Sequence, residues 1–77
     1  MASYSASAQA LVDSMAAAAL AEPARALAFQ GAPGANSHIA ALEYDAAALP
    51  LPCYAFEDAI DAVVAGRADR AIIPIEN

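Results

Sequence analysis

The sequence predicts an α/β chain: three parallel strands joined by two helices as β-α-β-α-β, behind a helical N-terminal extension. Short apolar runs at residues 26–30, 51–56 and 71–75 alternate with helix-length segments that open on polar or acidic residues. Helix-length crossovers require parallel strands joined right-handedly. Pro50 and Pro52 bracket the second run. Proline removes a ladder donor, so that strand belongs at a sheet edge. The expected strand order is therefore 2-1-3, with the helices on opposite faces and a topological switch point between the first and third strands.

In residues 1–24 Ser and Ala dominate, and Leu11, Val12, Met15 and Leu20 recur at helical spacing. A helix over 8–21 is expected, closed by Pro23. No Lys or Arg precedes this run and Asp13 interrupts it, a pattern unlike that of a signal peptide. It is also too short and too alanine-rich for a membrane span. Residues 1–24 therefore read as an extension packed on the domain or on a partner chain, and 25–77 as the α/β part.

The first strand, 26–30, runs into a loop holding Gly31, Pro33 and Gly34, after which Asn36 or Ser37 caps a helix over about 37–47. Ile39, Leu42 and Ala46 share one face of that helix. The second strand covers 51–56. A helix over 57–65 follows, with Phe56, Ile60, Val63 and Val64 as its apolar stripe, Glu57, Asp58 and Asp61 in its first turns, and Gly66 at its C-terminal cap. Arg67, Asp69 and Arg70 form a polar connector. The third strand, 71–75, is apolar without alternation, as expected of a strand covered on both faces. Pro74 ends it, and Glu76 and Asn77 follow.

A chain of 77 residues makes one small domain or part of a larger one. It is 61% hydrophobic, but alanine supplies much of that, and burying alanine removes little surface from water. A formal charge of −6, with three arginines and no lysine, provides no basic footprint for nucleic acid. Cys53 is the only cysteine, which excludes an internal disulfide and a cysteine-rich metal site and fits a cytosolic core residue. A single histidine, His38, argues against a His-based zinc site.

Two readings of the loop at 31–37 stand side by side. One is a connector that needs glycine for its backbone angles. The other is an anion-binding turn, with backbone N–H groups converging at a helix N-terminus. The switch point sets this loop opposite Glu76 and Asn77, a set able to orient a small polar anion. No nucleophile–base pair is evident: Ser37 has only His38 beside it, and neighbours on a helix diverge. Gly31-x-x-Gly34 matches neither the dinucleotide fingerprint nor the P-loop.

Ala-Phe-Gln-Gly-Ala-Pro-Gly-Ala-Asn-Ser-His, then Phe-Glu-Asp-Ala-Ile-Asp-Ala-Val, then Ile-Ile-Pro-Ile-Glu-Asn, resembles the amino-terminal part of the prephenate dehydratase family over about residues 26–77. Pro-Ile-Glu-Asn after an apolar strand is the most specific segment. The family's first motif reads Gly-Pro-x-Gly-Thr-Phe-Ser. Gly31, Gly34 and Ser37 match it, while Ala32 and Pro33 stand in its middle and Ala35 and Asn36 stand where Thr and Phe are usual, leaving Asn36 to replace in part the Thr hydroxyl contact.

The resemblance implies a periplasmic-binding-protein-like type II lobe facing a second lobe across a cleft. It implies a lyase of phenylalanine biosynthesis that removes water and carbon dioxide from prephenate to give phenylpyruvate. No metal or organic cofactor is expected, because aromatisation supplies the driving force, and neither nucleic acid nor membrane is an expected partner. The whole enzyme is expected to be a homo-oligomer. By motif match, Ser37 and Asn77 are expected to face the substrate. The loop amides at Gly34 and Ala35 are expected near an anionic group, and Asn36 is expected as a further substrate contact. Glu76 is expected at the substrate site, either orienting Asn77 or serving as a structural carboxylate. None is assigned as catalytic. The second lobe, the family's Thr-Arg-Phe segment and its regulatory domain would lie beyond Asn77, so the 77-residue chain is expected to be inactive alone. A non-catalytic carboxylate-binding module is the alternative, followed by an interaction fragment using the N-terminal helix.

Overall fold

The computed structural model describes residues 4–73. In chain order these form α1 (Ala6–Ala21), a 3₁₀ turn (Pro23–Arg25), β1 (Ala26–Gln30), α2 (Asn36–Tyr44), β2 (Leu49–Cys53), α3 (Phe56–Val64) and β3 (Arg70–Ile72). The three strands make one parallel sheet in the order β2-β1-β3, so the edge position argued from Pro50 and Pro52 holds. The strand itself sits two residues earlier than the apolar run suggested, and both prolines lie inside it. Its pleat explains the tolerance. The Cys53 carbonyl accepts from Gly31 N–H at 2.9 Å, so Leu49, Leu51 and Cys53 turn their backbone groups to β1 while Pro50 and Pro52 face the open edge.

β1 alternates between two cores. Ala26 and Ala28 pack with Leu51 and Cys53 beneath Ala19 of α1 and Ala59 and Ala62 of α3. On the opposite face Leu27 packs with Ala41 of α2, Ala48 and Ile72. The two crossover helices thus lie on opposite faces, as the strand order requires. Helix α1 joins α3, mainly against β2. No described helix is long and apolar enough to cross a membrane. Among the described residues only Phe29 and Leu27 are both large and fully enclosed, so much of the core energy rests on β1.

Several local expectations are corrected. Helix α3 buries Ala59 and Ala62, while Phe56, Ile60 and Val64 of the expected stripe are 48%, 42% and 82% exposed. Helix α2 likewise buries Ala41, leaving Ile39 and Leu42 on the surface. Small residues on these helix faces meet a sheet surface lined by Ala26 and Ala28 or by Leu27, which allows a closer approach than a stripe of large side chains. Helix α2 starts one residue earlier than expected and stops at Tyr44. β3 is half-buried rather than covered on both faces. Gly66 does close α3: with φ +78°, it donates to Val63 O while Arg67 N–H reaches Ala62 O, a Schellman closure.

Arg70 belongs to β3 rather than to a connector. Its guanidinium lies 3.0 Å from Asp45 and 3.1 Å from Asp69, over the Tyr44 ring. This ties the end of α2 to the start of β3, at the amino edge of the sheet. Hydrogen bonding from Arg70, helped by Ala47 N–H, holds the Asp45 carboxyl below its ordinary range. A lowered folded-state value means the unfolded chain takes up that proton first as pH falls. The stabilisation is therefore present above the ordinary carboxylate range and is lost as pH drops through it. Asp45→Asn should lower the urea midpoint at neutral pH and narrow the gap between midpoints at about pH 7 and about pH 3; an unchanged gap would count against this pairing.

Candidate functional site

The carboxyl edge of β1 leads directly into the loop at residues 31–35. Gly31 has φ +141°, and a Cβ there would stand 2.8 Å from Ser37 Oγ and 3.3 Å from the Ala35 methyl. Glycine is thus required both by angle and by space. The Ala35 N–H donates to Ala32 O at 3.0 Å, and Gly34, at φ +88°, donates its N–H to His38 Nδ1 at 2.8 Å. The two loop amides expected to face an anion, Gly34 and Ala35, are therefore engaged within the loop.

Neither Asn36 nor Ser37 caps α2. Ala35 takes that position in extended conformation with no side-chain bond, and Asn36 and Ser37 occupy the first turn. The Ser37 hydroxyl donates instead to the Gln30 carbonyl, joining the end of β1 to the start of α2 across Gly31. Its oxygen keeps lone-pair capacity for an incoming donor. Ile39 N–H makes the first helical bond, to Ala35 O at 3.1 Å. The N–H groups of Asn36, Ser37 and His38 meet no acceptor among the described residues, as the first turn of a helix dictates. These N–H groups, at the positive end of α2, are left open to an acceptor.

Three side chains hold the loop that the sequence did not reveal as such. His38 lies parallel to Phe29, with ring centroids 5.1 Å apart and planes 9° apart. Tyr4 donates its hydroxyl to Gly31 O at 2.9 Å and meets Tyr54 edge-on. Gln30 Nε2 donates to Tyr54 O at 3.3 Å. Burial, with Cys53, Asp58 and Tyr54 adding, pushes the Tyr4 hydroxyl up to about 12, so it stays a neutral donor. The spacing of Gly34 and His38 across a helix start was the only signal for the first; nothing local announces Tyr4.

β3 carries the chain to the same edge, Ile72 standing opposite Phe29. Glu76 and Asn77, expected as the facing wall, lie outside the described residues, as does Pro74. A separate open cleft of about 280 Å³ lies between α1, β2 and α3, with Leu20, Leu51, Cys53, Asp58 and Arg67 among its lining. It opens on the face of the sheet that α1 and α3 cover. Burial, reinforced by Asp58, pushes the Cys53 thiol up, which disfavours its thiolate.

A family model described as prephenate dehydratase matches residues 27–77. The chain belongs to the prephenate dehydratase family. Over 51 residues it is 45% identical to arogenate dehydratase/prephenate dehydratase 1, chloroplastic, of Arabidopsis thaliana, covering 66% of this chain and 13% of that protein. It has the same identity over the same length to arogenate dehydratase 1 of Petunia hybrida, covering 12% of it. The match spans about an eighth of the length of these curated relatives. No solved structure matches the chain. The part shared with the prephenate dehydratase family takes in the sheet, the loop and both crossover helices, and leaves α1 outside.

Proposed function

We propose that this chain supplies one wall of a dehydratase site that converts prephenate, or its relative arogenate, to an aromatic product in phenylalanine biosynthesis. The observation that carries this is the family match across 27–77, which includes the whole loop at the carboxyl edge of β1. In prephenate turnover the ring carboxylate leaves as carbon dioxide. Its electron pair completes the aromatic ring, and the ring hydroxyl departs with a proton as water.

The protein's task is to hold a substrate carboxylate, exclude water and assist the departing hydroxyl. The N–H groups of Asn36, Ser37 and His38 bind a carboxylate, and the Ser37 oxygen adds a polar contact. No described residue of this wall pairs with another as acid and base. The described wall therefore binds and orients, and the acid–base groups come from elsewhere in a homo-oligomeric enzyme. A cytosolic setting fits the single buried thiol.

Prephenate added to the ¹⁵N-labelled chain should shift the amide resonances of Asn36, Ser37 and His38. Ser37→Ala should weaken that binding by about five- to tenfold, the worth of one hydrogen bond. Unmoved resonances at millimolar prephenate would refute the assignment, and phenylpyruvate formed above a matched blank would refute the single-wall reading. A simple carboxylate such as acetate shifting the same amides as strongly would favour a non-catalytic binding module.

A further inference from the structure

The bond from Gly34 N–H to His38 Nδ1 has a consequence for the site just described, and the inference rests on that assignment. A backbone N–H can donate only to an unprotonated ring nitrogen, so His38 is neutral here with its proton on Nε2. Phe29, itself fully buried, holds the ring by its face while Gly34 bonds to its edge, so the ring cannot drift from Gly34 without losing a stack. Gly34 sits at φ +88° on the turn that leads into α2, beside the N–H groups of Asn36, Ser37 and His38, which meet no acceptor among the described residues.

We propose that His38 is a positioning residue that latches the substrate loop while neutral and releases the Gly34 N–H to a bound anion when protonated. A proton on Nδ1 turns the acceptor into a donor facing a donor, and the bond breaks. The freed Gly34 amide then joins the helix N–H groups, and the imidazolium adds a positive charge next to them. Anion and proton thereby bind together, each raising the affinity of the other.

Among the described residues, Phe29 from β1 and the Gly34 amide from the loop hold His38, and neither carries a charge. Tyr4 reaches the same loop through Gly31 O and stays neutral over the relevant range. The acids on the helix itself, Glu43 and the following Asp45, are more than one turn further on, and Asp45 is committed to Arg70.

The test begins on the ligand-free chain, by amide hydrogen exchange at Gly34. The protection factor in the wild type should fall about fivefold between about pH 8 and pH 5, where histidine changes charge. His38→Phe keeps a ring against Phe29 but has no acceptor, and should show the low value at every pH. Protection that ignores both pH and the substitution overturns the latch, and if His38→Phe does not fold, the wild-type pH series decides alone. Prephenate affinity, followed at Ser37, should rise about fivefold or more from pH 8 to pH 6 in the wild type and stay flat in His38→Phe. A pH-flat wild-type affinity overturns the coupling. Absence of any prephenate binding overturns the site assignment instead, and leaves the latch to be judged on the exchange data.

Discussion

Phe29→Ala should leave the chain largely unfolded at 25 °C. The ring is fully buried near the carboxyl end of the middle strand, with β2 and β3 paired on either side of it. It is also the surface on which His38 stacks. Truncating such a ring costs about 3–5 kcal/mol, because the transfer energy is lost and a cavity is left. A single core in a chain of this size rarely supplies more than about 3–5 kcal/mol in all, and here alanines fill most of it. Phe29→Leu keeps most of the volume and should cost less than about 1.5 kcal/mol. Urea titration followed by circular dichroism separates them: a sigmoidal transition for Leu and none for Ala. A normal transition in Phe29→Ala would mean that the core energy lies elsewhere.

Gly31→Ala should be the most damaging change at the site itself. A positive φ of 141° is open to glycine and strained for alanine, a cost of about 1–3 kcal/mol. The new methyl would also stand 2.8 Å from Ser37 Oγ, so either the loop moves or the Ser37–Gln30 bond breaks. Two kcal/mol in a domain of this size lowers the midpoint of thermal unfolding by roughly 8–16 °C. The steric part is separable. In Gly31→Ala with Ser37→Ala the clash is gone and the backbone strain remains, so the pair should be less destabilised than the sum of the singles by about 1 kcal/mol. Strict additivity would show that backbone strain is the whole cost.

The match to the prephenate dehydratase family was legible because its motifs lie where strands end and helices begin, positions at which backbone geometry limits the choice of residue. Gly31 and Gly66 are such positions, and both have positive φ as the turns require. The capping of α2 was not legible. Asn36 and Ser37 have the chemistry of caps, but Ser37 has a stronger claim on it, the carbonyl that ends β1, and that partner is visible only once β1 and α2 are side by side. The same holds for Gly34 and Ala35, whose amides looked free until His38 and Ala32 were seen to take them.

What the sequence determined by itself is the architecture: five alternating elements, parallel strands and the order 2-1-3. These follow from local properties, namely apolar run length, proline at an edge and glycine at a turn, which act within a few residues. Tertiary structure decided which face of each helix is buried. Helical periodicity pointed to Phe56, Ile60 and Val64, yet Ala59 and Ala62 lie against the sheet because β1 presents Ala26 and Ala28 there. A hydrophobic stripe says only that a face is apolar, whereas close packing selects the face whose shape fits. Tertiary structure also decided which N–H groups stay free at the site. Hydrogen-bond partners far apart in the chain, such as Tyr4 with Gly31, or paired across a turn, such as Gly34 with His38, are settled only when the folded backbone brings donor and acceptor into line.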